Sequence, residues 1–266
     1  MKKLFLISFL LCCKSGFGQD MKDIENDLVR SFNKIDSFWE LTTDTSLSQH
    51  YVDYEDSLVV ANKKFKLKLL SYTSKYPTTL NYDFSRIKYL FIATSQDHKF
   101  RIYSWDTWTG GTEHFFAHLI QFQGEKVESV ESKTFGKNTM DDDDPSGLYS
   151  EVFQLSIDNR KIYYGYFHSS ASTRDAFDGL QLFEIGNQGL NDSLKLFKTE
   201  KNLSNILGFD FDFFSVVDRK ERPIKLIECS DDGKTIRIPV IDDKEQVTNK
   251  WITYRFDGKY FVESKN

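Results

Sequence analysis

The chain has 266 residues, with 35 basic against 40 acidic side chains and a formal charge of −5 at pH 7. An acidic chain without a clustered basic face excludes polyanion binding, so nucleic acid is not an expected partner. Twenty-four Phe and 13 Tyr supply enough apolar surface for one large core.

The chain opens on a secretory leader. Lys2 and Lys3 precede an apolar run of ten, Leu4 to Cys13, and Gly16-Phe17-Gly18 places small residues where a signal peptidase reads. Residues 1–18 are therefore expected to be a signal peptide, cleaved between Gly18 and Gln19, and the product to be soluble in the periplasm or outside the cell. Ten apolar residues fall short of the about 20 that a membrane span needs, so no integral span is expected in the mature chain. The adjacent Cys12 and Cys13 raise lipidation as a rival, but no small residue precedes Cys12. Cleavage removes three lysines and no acids, which leaves 32 basic and 40 acidic residues and a formal charge of −8. It also leaves Cys229 as the sole cysteine, so no intramolecular disulfide is available. A lone thiol with no His partner nearby in sequence reads as an inert strand residue.

Residues 19–86 read as an N-terminal helical part. Ile24, Leu28, Phe32, Ile35 and Phe38/Trp39 recur at three-and-four spacing, predicting a helix over 21–39. Leu58, Ala61, Phe65, Leu69 and Tyr72 predict a second over 57–76, stopped by Pro77. The lysines at 63, 64, 66 and 68 form a solvated helix face, and the polar stretch Thr42 to Glu55 has no usable period. Ser31-Phe32-Asn33-Lys34 matches the bare spacing of some acyl-transfer serines but stands alone on an amphipathic helix.

From Ile87 the period changes to two, which predicts antiparallel strands over 87–266, forming one compact domain with 19–86. Four polar, Asp-containing reversals separate them: Ser95–Lys99, Ser156–Lys161, Ser230–Lys234 and Phe256–Lys259. The strands after the first three, 100–105, 162–167 and 235–240, begin 62 and 73 residues apart. That spacing is too uneven for a true repeat. The fold class is therefore mainly β with N-terminal helices (α+β), as antiparallel meander sheets, with propeller-like blades as the alternative.

The segment with most chemical character is Phe100–Thr112. Trp105, Asp106, Trp108, Gly110 and Gly111 are the candidate ligand contacts, because indole faces stack on a ligand ring and paired glycines let it approach the backbone. The bland alternative makes both tryptophans core or edge-capping residues. This segment, with Ser95-Gln96-Asp97 before it and Ser215–Arg219 later, resembles a family of secreted bacterial β-rich proteins. The resemblance covers the middle and C-terminal parts and implies no activity.

Two metal candidates follow. His114 and His118 share an ion only on a helix, where residues four apart lie about 6 Å apart, against about 13 Å on a strand. Asp142, Asp144 and Ser146 occupy the first, third and fifth positions of a Ca²⁺ loop, with Gly147 at the sixth. Phe153 replaces the bidentate Glu at the twelfth, so this is at most a weak Ca²⁺ site, with a solvated acidic linker as the alternative. No other cofactor is expected.

Gly-x-Ser-x-Gly, phosphate-loop, dinucleotide and His-Glu-x-x-His signatures are all missing from the chain. The leading expectation is a secreted non-catalytic binding or interaction protein acting on a glycan or envelope protein. A cell-envelope or glycan hydrolase with a carboxylate pair is the first alternative. A structural envelope component is the second.

Overall fold

A computed structural model describes residues 20–43, 51–131, 147–157, 160–199 and 202–264. Two helices come first, α1 (Met21–Thr43) and α2 (Tyr51–Lys75). Asp20 begins α1 by accepting the Lys22 N–H on its side chain, which satisfies one of the helix's free amides. Ile24, Leu28, Phe32 and Ile35 of α1 and Leu58, Ala61, Phe65 and Leu69 of α2 are buried. Each helix runs past its apolar spacing, α1 to Thr43 and α2 back to Tyr51. Helix propagation needs only one more hydrogen bond per residue, so polar residues facing solvent, such as Glu55 and Asp56, extend it without an apolar signal.

The remainder is strand, as the period of two predicts. β1 (Phe91–Thr94), β2 (Phe100–Asp106), β3 (Phe116–Gln123) and β4 (Val127–Val130) form the first sheet, a meander in sequence order. β5 (Leu148–Ile157), β6 (Arg160–Ser170), β7 (Asp175–Gly186) and β8 (Gly189–Asn191) follow. After β9 (Phe197–Lys198) and β10 (Leu203–Ser204), β11 (Ile206–Asp212) completes a second sheet of order β11-β7-β6-β5, with β8 on β7. The last four strands are β12 (Glu228–Cys229), β13 (Thr235–Ile241), β14 (Val247–Phe256) and β15 (Phe261–Glu263). They join β9 and β10 in a third sheet of order β10-β9-β15-β14-β13-β12.

Alternation along the strands stacks these elements in layers. Tyr103, Trp105 and Leu119 of the first sheet share a buried cluster with the helices. Phe100, Ile102, Ile120 and Phe122, on its other face, pack on Tyr149, Tyr163, Phe167 and Phe183 of the second. Tyr164, Leu180 and Leu182 then meet Phe197, Ile236 and Phe261 of the third. No buried cluster among the described residues joins the third sheet to the first, so the sheets form a stack of meanders without the closure of a propeller. One pairing departs from the antiparallel expectation: β15 runs parallel to β9, bringing Phe261 level with Phe197, their rings 5.4 Å apart.

The Asp-containing turns at 95–99 and 230–234 are built alike. In each, the Ser hydroxyl donates to the Asp two residues on, at 2.7 Å, and accepts the N–H five residues on. The same Asp accepts the next-but-one N–H, and the residue between has positive φ, 56° at His98 and 67° at Gly233. Among the described residues no helix is long and apolar enough to cross a membrane.

Candidate functional site

The site is assembled from the end of β2 outward. Trp105 is fully buried, its ring edge-on to Phe65 at 5.0 Å, and its Nε1–H donates to Asn62 Oδ1 at 3.0 Å. Asn62, itself buried in α2, turns its Nδ2 to the carbonyls of Leu58 (3.0 Å) and Thr107 (2.8 Å). One carboxamide therefore satisfies three buried groups and ties the exit of β2 to α2. Trp105 is a core residue with no surface to offer a ligand, because its strand parity points it at the helices.

Asp106 organises the loop that follows. Its Oδ1 accepts the Trp108 N–H at 2.8 Å, and its Oδ2 accepts from His114 Nδ1 at 2.5 Å. Thr107 closes the base of the loop: both its N–H and its hydroxyl donate to the Phe115 carbonyl, at 2.8 and 2.7 Å. The His114 N–H then donates to Ser170 O at 2.9 Å, docking the loop on β6. Gly110 is required here: a Cβ would lie 2.0 Å from the Glu113 carbonyl oxygen. Gly111 is different, since a Cβ there would meet nothing within 4 Å.

Trp108 sits in the middle of this loop in an unfavourable state. Its φ is 57°, a left-handed conformation costly for a bulky residue, and its indole N–H is shielded from solvent without a hydrogen-bond partner among the described residues. The ring stacks on Trp39 of α1, centroids 5.1 Å apart and planes 17° from parallel, and meets Tyr89 at right angles at 6.2 Å. It is thus no bare platform at a hairpin tip. It forms a wall.

That wall bounds a cleft of about 280 Å³ lined by Trp39 and Thr42 of α1, Glu55, Asp56, Leu58 and Val59 of α2, and Trp108–Gly111. The glycine pair and Trp108 line this cleft together; Trp105 and Asp106 stand behind them, one as core and one as scaffold. Four contributors escaped sequence reasoning. Trp39 shows only as a helix-face residue, Glu55 and Asp56 fall where no period is legible, and nothing in the sequence couples Asn62 to residues 43 and 45 positions away. Nearby on α1, burial and then the Glu40 charge raise the Asp36 carboxyl above its ordinary value, against the opposing charge of Lys88. Lys88 itself lies over the Tyr89 ring, 4.7 Å from its centroid. No family model, curated protein or solved structure matches the chain.

The metal candidates fall elsewhere. His114 lies in the loop on Asp106, whereas His118 is buried within β3 with its ring 5.5 Å from Tyr149. The helix that would let them share an ion is not formed, because the Phe116–Gln123 run pairs with β2. Asp142, Asp144 and Ser146 lie outside the described residues. Within those residues no cluster of three His, Cys, Asp or Glu side chains is placed to hold a metal. Burial pushes the Cys229 thiol up to about 12, which keeps it protonated and a poor nucleophile at neutral pH.

Proposed function

We propose that the protein is a secreted, non-catalytic binding protein of the periplasm or cell exterior, and that it takes a ligand on a glycan or envelope component in the Trp39–Trp108 cleft. The observation that carries this is Trp108. A left-handed φ on a bulky residue and an enclosed indole N–H without a partner among the described residues each cost about 1–3 kcal/mol. Strain and unmet polarity concentrated at one cavity wall are features that folding alone does not call for, and they favour a role in recognition.

The hydrolase alternative needs two carboxylates facing each other across a bond, about 5–10 Å apart. Glu55 and Asp56, the acids in the cleft lining, instead stand at consecutive positions on α2. A structural envelope role draws support from Val59, Val60 and Leu67, exposed along the same helix. The binding reading is tested by measuring retention of the mature chain, residues 19–266, on immobilised glycans and on envelope fractions beside Trp108→Ala. Loss of about 1–3 kcal/mol of affinity is expected if this indole acts as an aromatic hot spot. Equal retention of the two proteins would remove the cleft from the function.

A further inference from the structure

Every charged side chain in the cleft lining is acidic. Glu55 and Asp56 supply two carboxylates, and neither has an ion-pair or hydrogen-bond partner among the described residues. On the same helix Lys66 reaches Glu131 at 3.0 Å and Lys68 reaches Asp27 at 2.9 Å, away from the cleft. Lys88, the cation close to the Trp108 assembly, is engaged on the outer Tyr89 ring and does not line the cleft. The remaining walls are two indoles, two threonines, Leu58, Val59 and the glycine backbone.

A pocket with uncompensated negative charge and aromatic walls disfavours an anion and leaves a neutral ligand without use for the charge. A cation gains twice. It meets the field of both carboxylates, and aromatic rings attract positive charge through the electron density of their faces, most strongly in Trp. A small inorganic ion is poorly matched, since indoles and aliphatic side chains offer it no oxygen ligands. An ammonium carried on carbon matches both halves of the lining, its charge toward Glu55 and Asp56 and its C–H groups against Trp39 and Trp108.

We infer that the cleft between Trp39, Trp108, Glu55 and Asp56 recognises an organic ammonium group. This rests on the binding reading above and names the chemistry of its ligand from the carboxylates and aromatic walls alone, since an ammonium has no lone pair with which to accept the Trp108 N–H. The volume of about 280 Å³ accommodates a single small head group, such as an amine borne by a glycan, a lipid head group or a side chain.

Choline and its neutral isostere 3,3-dimethylbutan-1-ol separate charge from shape. Titration of the mature chain at constant ionic strength, followed by calorimetry and tryptophan fluorescence, should show choline binding at least about tenfold more tightly than the isostere. The double variant Glu55→Gln/Asp56→Asn, whose residues are exposed on α2, should weaken choline about tenfold, leave the isostere unchanged and keep the wild-type melting curve. Trp108→Ala should weaken both probes. Equal binding of the two probes, undiminished choline binding by the double variant, or no choline binding at all would overturn the inference. In each of those cases the binding reading survives if retention on glycans or envelope still depends on Trp108, and fails if it does not.

Discussion

Trp105 and Trp108 lie three residues apart, and truncating each should have distinct consequences. Trp105→Ala empties a site that is fully enclosed between β2 and α2, which costs about 3–5 kcal/mol for a core Trp. It also strips Asn62 Oδ1 of its donor, adding about 1–3 kcal/mol for a buried acceptor left unmet. The sum is at least about 4 kcal/mol. Trp108→Ala loses a stack on Trp39 worth about 0.5–1.5 kcal/mol and the burial of a ring only partly enclosed, about 1–2 kcal/mol. Against this it removes an enclosed N–H that has no partner among the described residues, recovering about 1–3 kcal/mol. The net loss should not exceed about 2.5 kcal/mol. Urea unfolding of residues 19–266 and of both variants, followed by circular dichroism, gives the comparison directly, provided the slope with denaturant is unchanged. A loss of about 4 kcal/mol or more for Trp108→Ala would show that this ring is core and refute its assignment to a cleft wall. A loss under about 2 kcal/mol for Trp105→Ala would refute the burial argument.

Two further outcomes are expected. Burial first, and then the charge of Lys66, push His118 down to about 4 from an ordinary 6.5, so the unfolded chain takes up a proton near pH 6.5 that the folded protein refuses until about pH 4. Stability from this group should therefore be complete above pH 6.5 and fall by about 3 kcal/mol as the pH drops to 4; unfolding measured across that range should show a shallower decline in His118→Gln, and identical declines would contradict the assignment. Gly110→Ala should disrupt the 107–115 loop, because its Cβ would collide with the Glu113 carbonyl, whereas Gly111→Ala should leave the melting curve unchanged. Equal melting of the two glycine variants would mean that the loop does not hold this geometry.

The helices and strands were legible because their signals are local. A three-and-four spacing at Ile24, Leu28 and Ile35 and the halt at Pro77 require only the chain's own period and the chemistry of one ring. The Ser-x-Asp turns at 95 and 230 were legible for the same reason, since each closes on its own side chains within five residues. The parallel pairing of β9 with β15 was not, because strands of two and three residues carry no period and the partners are over 60 residues apart.

The candidate site divides in the same way. The sequence by itself determined that Trp108, Gly110 and Gly111 share a loop, because tryptophans just before a Gly-Gly pair at the end of an alternating run signal a reversal with aromatic character. Only the tertiary structure decided that Trp105 is fully enclosed while Trp108, packed on the same cluster, also lines the cleft, since spacing along the chain does not show which neighbours a ring will meet. It alone placed Trp39, Glu55 and Asp56 opposite that loop, because a helix shows its period in sequence but not the neighbour its solvent edge will face. The cleft therefore exists only once α1 and α2 are packed on the first sheet, where Asn62 joins the end of β2 to the helix that supplies the two carboxylates.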